Sequence, residues 1–140
     1  MPRFHWSSQY TVYVPQIDAE HRAIFLMGAE LEQAAAARAT QVRISEIVRA
    51  LIDHAEDHFT HEERLMRAAR YQGYEWHKRQ HDAVRRRLRE ISGRIESDDR
   101  QAPAELLEYL ARWLRDHTAV TDRMLGAALR NLSRKQKAVS

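Results

Sequence analysis

The chain has 140 residues, a formal net charge of +3 at pH 7 and no cysteine. The absence of cysteine excludes disulfides, thiolate catalysis, iron–sulfur clusters and cysteine-based zinc sites. This length fits one domain that can fold without cross-links, and charged residues of both signs, 31% of the chain, indicate an ordinary solvated surface.

Residues 1–17 are predicted to form an irregular N-terminal arm in which Trp6 and Tyr10 anchor the packing. The segment MPRFHWSSQY lacks the apolar core of a signal peptide. No apolar run approaches the roughly 20 residues that span a bilayer. We therefore expect a cytoplasmic protein without stable membrane insertion.

From Asp18 onward the apolar residues recur with the 3.6-residue period of amphipathic helices. Four helices are predicted: 18–37 with Asp18 as N-cap, 41 to just before Gly73, 74–96, and 103–132 with Pro103 in its first turn. Residues 133–140 are expected to form a polar, basic and frayed tail. Short connections predict an all-α, antiparallel up-down-up-down four-helix bundle as one domain over residues 18–132.

Each predicted helix places at least one histidine on its apolar face. The residues concerned are His21 in the first helix, His58 and Glu62 in the second, His77 and His81 in the third, and His117 in the fourth. The stripe of the fourth helix also includes Trp113, Leu114 and Met124. Burying an unpaired polar group costs roughly 2–7 kcal/mol against an apolar reference, so a shared metal centre explains the set better than separate hydrogen bonds.

The number and type of these groups narrow the choice of metal. Five imidazoles and a carboxylate exceed the four ligands of a structural zinc site. They are too rich in nitrogen for magnesium or calcium, which prefer oxygen ligands. Two ions that share bridging carboxylates fit the count, and mixtures of imidazole and carboxylate suit iron.

The same residues stand in motifs that resemble the hemerythrin family, specifically the single-domain bacteriohemerythrins. The motifs are IDAEH (17–21), HFTHEE (58–63) followed by Met66, HKRQH (77–81) and WLRDHTAVTD (113–122). The resemblance extends from Trp6 to about Asp122. It implies a non-heme diiron centre with seven ligands: His77, His81 and His117 on one iron, His21 and His58 on the other, and Glu62 and Asp122 as bridges.

The resemblance further implies two iron ions joined by an oxo or hydroxo group, with a free position on the two-histidine iron for dioxygen. The residues that resemble the walls of the oxygen pocket are Ile24, Phe59, Trp113 and Leu114. The implied function is reversible dioxygen binding for transport, storage or delivery, without catalysis. Keeping water out of the pocket is what separates carrying oxygen from consuming it.

Two residues of the fourth helix depart from the simple pattern. On an ideal α-helix Asp122 lies about 140° from His117, off the buried stripe, so bridging requires a π-bulge or a similar distortion. Thr118, assigned to the oxygen pocket, stands where an apolar residue is usual in the family. Its hydroxyl could bind the bound oxygen, admit water or bond the helix backbone, and the backbone bond is favoured.

Other functions fit the motifs less well than oxygen binding. A ferritin-type diiron oxidase or peroxidase would carry Glu-x-x-His motifs, and no glutamate here has a histidine three residues on. A zinc peptidase motif that begins at His61 fails because Leu65 occupies its closing position. Weak peroxidase activity and a role as an oxygen or iron sensor stay open, although the sequence shows no signalling module.

The remaining charged residues favour simple interpretations. The basic run at Arg85–Arg89 is expected to be a solvated helix face, so no nucleic acid is predicted as a partner. The charged outer faces favour a monomer. His5 is placed in the arm, His54 is a possible hydrogen-bond partner of a ligand, His61 is expected to face solvent, and Glu63 is expected at the surface or behind a ligand.

Overall fold

The computed structural model describes residues 3–139 of the chain. It contains a short 3₁₀ helix and a succession of long helices: Ser8–Tyr10, α1 Pro15–Ala36, α2 Gln41–Ala68, α3 Tyr74–Glu96, α4 Ala102–Trp113, a π-helix Leu114–Asp122, and α5 Arg123–Val139. No strand occurs within these residues, and none of their helices is both long and apolar enough to cross a membrane.

The last three helical segments follow one another without a turn and act as the fourth rod of a bundle. Helices adjacent in the chain pack on each other, and α1 also packs on α4, which closes the bundle. Apolar residues from all four rods form the main core. The predicted all-α, antiparallel four-helix bundle is therefore confirmed.

The predicted helix ends agree with the structure in part. Helix α3 has the expected bounds, whereas α2 ends at Ala68, earlier than expected. Helix α5 continues to Val139, through the segment that was expected to be a frayed tail.

The assignment of Asp18 as an N-cap is wrong. Helix α1 begins at Pro15, because proline already has a helical φ and its missing N–H costs nothing at the first position. Asp18 lies in the first turn and binds the arm instead. Its carboxylate accepts hydrogen bonds from the Val12 backbone N–H at 2.8 Å and the Thr11 hydroxyl at 2.7 Å.

The two aromatic anchors expected in the arm do pack against the bundle. The Tyr10 ring lies 4.9 Å from the Phe25 ring, and Tyr10 is buried. Trp6 is partly buried against the core, with the Arg22 guanidinium 4.1 Å above its ring. These contacts hold the arm along helix α1.

A second set of contacts, here called the arm–α5 clasp, joins the arm to the last helix. The Arg123 guanidinium donates to the Gln9 carbonyl oxygen, and that of Arg130 donates to the Val12 carbonyl oxygen. A Cβ at Gly126 would lie 2.5 Å from that Val12 oxygen, so only glycine permits this approach. The clasp therefore closes one end of the bundle with residues more than 100 positions apart.

Candidate metal centre

The π-helix decides which residues of the fourth rod face inward. Its hydrogen bonds span five residues instead of four, so residues five apart lie about one turn apart. His117 and Asp122 consequently share the buried face, with exposures of 3% and 0%. The distortion that was predicted for Asp122 is confirmed. The wider turn also rotates the start of helix α5, so that Met124, expected in the buried stripe, is 51% exposed.

The structure brings all seven predicted ligands together in the core. They form two groups whose donor atoms lie within 4.8 Å of one another: Glu62, His77, His81, His117 and Asp122 in one, and His21, His58, Glu62 and Asp122 in the other. The two carboxylates belong to both groups. Each of the seven residues is at most 3% exposed.

The donor atoms approach one another without forming hydrogen bonds. Asp122 Oδ2 lies 2.8 Å from His21 Nε2, and Asp122 Oδ1 lies 3.0 Å from both His77 Nε2 and His117 Nε2. Glu62 Oε1 lies 3.0 Å from His81 Nε2. None of these buried atoms has a hydrogen-bond partner among the described residues. The donor atoms therefore converge without being paired by hydrogen bonds.

The charges of the donor residues favour the binding of a cation among them. Burial opposes ionisation of Glu62, as does the charge of Asp122, but the imidazoles around it lower its pKa to about 2. Burial also disfavours the charged form of His77, yet Asp122 and Glu62 raise its pKa to about 9. The carboxylates and His77 thus favour each other's charged forms. A metal cation would take the place of the proton on His77, because imidazole coordinates in its neutral form.

Three of the five imidazoles are oriented by a hydrogen bond at Nδ1, the ring nitrogen that is not among the converging donor atoms. His58 Nδ1 donates to Glu20 at 2.6 Å, and His81 Nδ1 donates to Glu63 at 2.8 Å. Since a carboxylate can only accept, the proton sits on Nδ1 and the Nε2 lone pair faces the site. Glu63 thus lies behind a ligand, one of the two positions expected for it.

His117 is held by an amide instead of a carboxylate. Its Nδ1 donates to Gln80 Oε1 at 3.0 Å, and the Thr121 hydroxyl donates to the same oxygen at 3.1 Å. Sequence reasoning missed both Gln80 and Glu20. A usable signal was present, because each directly precedes a ligand, in the pairs Glu20–His21 and Gln80–His81.

The spare histidines of helix α2 behave differently from expectation. His61, expected to face solvent, has a side chain only 18% exposed and bonds Glu20 Oε2 at 2.6 Å, so Glu20 holds two imidazoles. His54 does not contact a ligand side chain; its Nε2 lies 3.3 Å from the Glu20 backbone oxygen.

Arg85 was expected on a solvated face, and that expectation is wrong. Its side chain is only 17% exposed and bridges Glu56, Asp82 and the Glu63 that holds His81. The exclusion of nucleic acid and the monomeric state stay predictions.

Aromatic residues of the predicted oxygen pocket pack directly on the imidazoles. Phe59 stacks on His81 with ring centres 4.4 Å apart, and Trp113 stacks on His117 at 5.0 Å. The same two aromatic rings meet edge to face at 5.4 Å. The other two predicted wall residues, Ile24 and Leu114, are fully buried in the main core.

The favoured interpretation of Thr118 is wrong. The residue is fully buried, but its hydroxyl makes no hydrogen bond to the helix backbone or to any other group in residues 3–139.

Comparison with known proteins agrees with this geometry. The family described as "Hemerythrin HHE cation binding domain" matches residues 13–129. The chain is 31% identical over 117 residues to the bacteriohemerythrin of Pseudomonas aeruginosa, covering 84% of this chain and 75% of that protein. It is 30% identical over 125 residues to the bacteriohemerythrin of Ralstonia nicotianae, covering 89% and 88%. A crystal structure of a hemerythrin mutant has a similar fold, with a TM-score of 0.79, 22% identity and coverage of 92% and 98%.

The chain belongs to the hemerythrin family. The resemblance drawn from the four motifs is thereby confirmed. Family membership and the two overlapping donor groups together support an oxygen-binding protein with a diiron centre.

Proposed function

We propose that this protein binds dioxygen reversibly at a non-heme diiron centre and serves to carry, store or deliver it. In this proposal one iron is held by three histidines, the second by two, and both by two carboxylates: His77, His81 and His117; His21 and His58; Glu62 and Asp122. The two irons and a solvent-derived bridge are the cofactor, and dioxygen is the ligand.

The observation that carries the proposal is the convergence of buried donor atoms without hydrogen-bond partners. In a core without metal, protons on the imidazoles would offset only part of the cost of burying these atoms, which for an unpaired polar group is roughly 2–7 kcal/mol against an apolar reference. Two overlapping groups of five and four donors, with both carboxylates shared, fit a pair of ions better than one. A mixture of imidazole and carboxylate suits iron.

The unequal numbers of donor atoms in the two groups suit the binding of dioxygen to one of the two ions. If both ions favour the same coordination number, the four-donor group leaves one more position free than the five-donor group. When bound, a diiron centre supplies reversible two-electron exchange with dioxygen.

The residues around the donor atoms orient the imidazole rings and keep water out. Glu20 and Glu63 hold the proton on Nδ1 of His58 and His81, which keeps the Nε2 atoms free to coordinate. Phe59, which stacks on His81, and the fully buried Leu114 would keep water away from the donors.

The decisive experiment is to reduce the purified protein anaerobically, admit dioxygen and record visible charge-transfer bands together with iron per chain. We expect two irons and bands that disappear when oxygen is removed. Steady oxygen consumption with a reductant would indicate an oxidase instead, and irreversible bleaching would contradict reversible binding.

A matched pair of variants tests the assignment of ligands on helix α2. His58→Gln is expected to lose iron and the reversible bands. His54→Gln, one turn earlier and outside both donor groups, is expected to keep them.

A further inference from the structure

The two threonines of the π-helix that face the core differ in one respect. The Thr121 hydroxyl donates to Gln80 Oε1 at 3.1 Å. The Thr118 hydroxyl has no hydrogen-bond partner within the described chain, although Thr118 is 0% exposed. One hydroxyl is therefore explained by protein structure and the other is not.

A threonine hydroxyl in a helix commonly bonds a backbone carbonyl in the preceding turn. Thr118 does not, so the fold gains nothing from its oxygen. A buried hydroxyl without a partner costs free energy, and valine would fill the same volume without that cost. The hydroxyl at this position works against stability unless it binds a group from outside the chain.

The position of Thr118 indicates where that group lies. Leu114, Thr118 and Asp122 follow one another at intervals of four residues on the buried face, and each is 0% exposed. Asp122 belongs to the four-donor group with His21 and His58. Thr118 thus lies between a residue of the predicted pocket wall and a carboxylate of the group with the free position.

We propose that the Thr118 hydroxyl donates a hydrogen bond to the small ligand that enters this pocket. The inference rests on the proposed diiron function and adds a determinant of specificity to it. The hydroxyl selects for diatomic molecules or small anions that accept a hydrogen bond, and azide is a suitable probe.

The first arm of the test measures the melting temperature of the iron-free protein. Thr118→Val is expected to melt at the same temperature as the wild type or above it, because no protein hydrogen bond is lost. The matched control Thr121→Val is expected to melt lower, because it breaks the bond to Gln80. A loss in Thr118→Val as large as that in Thr121→Val would overturn the inference, since it would show a structural role.

The second arm measures azide binding to the oxidised, iron-loaded protein by visible titration. Thr118→Val is expected to raise the azide Kd roughly tenfold, the effect of one hydrogen bond. Thr118→Ser, which keeps the hydroxyl, is expected to stay within about twofold of the wild type.

Failure of this inference and failure of the proposed function would give different results. An unchanged azide Kd in Thr118→Val, with two irons per chain, would overturn this inference alone. A wild-type protein that retains no iron would overturn the proposed function, and the inference with it.

Discussion

The two halves of the donor cluster are built differently. Helix α3 and the π-helix supply three imidazoles on one side, His77, His81 and His117, whereas α1 and α2 supply only His21 and His58 on the other. The three-histidine half comes from a pair spaced four apart on one helix and a third ligand on a widened helix. The two-histidine half has one predicted histidine ligand from each of its two helices.

The supports behind the halves differ as well. In the three-histidine half, Glu63 holds His81 and is itself fixed by Arg85 at 2.8 Å. In the two-histidine half, Glu20 holds His58 and is shared with the partly exposed His61. The comparison shows that the support of the three-histidine half is fixed by an arginine and that of the two-histidine half is shared with a second histidine, which under the proposed function suits the second half to exchange of a ligand.

The largest effect is expected from removing a carboxylate that both halves share. Asp122→Ala should lose both irons, because Asp122 lies within 3.0 Å of imidazoles from each half. Iron per chain after gel filtration measures this. Asp116→Ala, an exposed aspartate of the same π-helix, is the control and should keep two irons. Retention of one iron by Asp122→Ala would show that the halves are independent.

The next largest effect is expected from shortening Leu114, a residue of the predicted pocket wall. Leu114→Ala should destabilise the fold by about 2–5 kcal/mol, because it opens a cavity at a fully buried position. It should also shorten the life of the oxygenated protein, because water reaches the exchanging half. Urea unfolding and the decay of the oxygenated visible band measure the two effects. Leu26→Ala, at a 72% exposed position, is the control. If Leu114→Ala held oxygen as long as the wild type, water exclusion by this residue would be wrong.

The third prediction concerns protons in the three-histidine half. In the iron-free protein burial opposes the charge on His77, but Asp122 and Glu62 raise its pKa to about 9, above the ordinary 6.5. Protonated His77 therefore stabilises the fold below pH 6.5, and this contribution is lost as the pH rises through about 9. The loss amounts to about 3 kcal/mol at most. Urea unfolding at pH 6.5 and 9.5 measures it.

The iron-loaded protein is the control for this pH dependence. It should lack the loss, since a coordinated imidazole carries no proton at Nε2. Equal stability of the iron-free protein at both pH values would contradict the assignment.

The smallest effects are expected from the supporting carboxylates. Glu20→Gln and Glu63→Gln should each weaken iron binding about 10–100-fold, as changes behind metal-bound histidines do. Release of iron to a chelator should become faster for one ion in each variant. Glu20→Gln should also alter azide binding, because it acts on the exchanging half. Glu108→Gln, at an exposed position, is the control. Identical release profiles in the two variants would remove the distinction between the halves.

Much of this architecture could be predicted from the sequence. The 3.6-residue period gives the bundle and the inward direction of His58, Glu62 and the histidine pair of α3. The 3.6-residue period predicts the wrong direction for the Asp122 side chain, because it assumes an α-helix throughout. Only the motif WLRDHTAVTD predicted the inward position there, and Met124 was misplaced for the same reason.

The supports behind the ligands were harder to predict. A contact such as Gln80 with His117 depends on how two rods are rotated against each other, and a single helix does not encode that rotation. The prediction that the Thr118 hydroxyl bonds the helix backbone was wrong for a related reason. The rule for threonine in a helix assumes a carbonyl in the preceding turn that can accept its bond, and this hydroxyl has no such partner in the π-helix.

The arm–α5 clasp has a consequence for the order of events during synthesis. The ribosome makes residues 9–12 long before Arg123 and Arg130, the side chains that bind them. Asp122 is also among the last ligands to emerge. A growing chain therefore lacks both its closing contacts and a shared carboxylate until its final helix leaves the exit tunnel. The seven predicted ligands are therefore complete only after Asp122 has been made, long after the arm residues of the clasp.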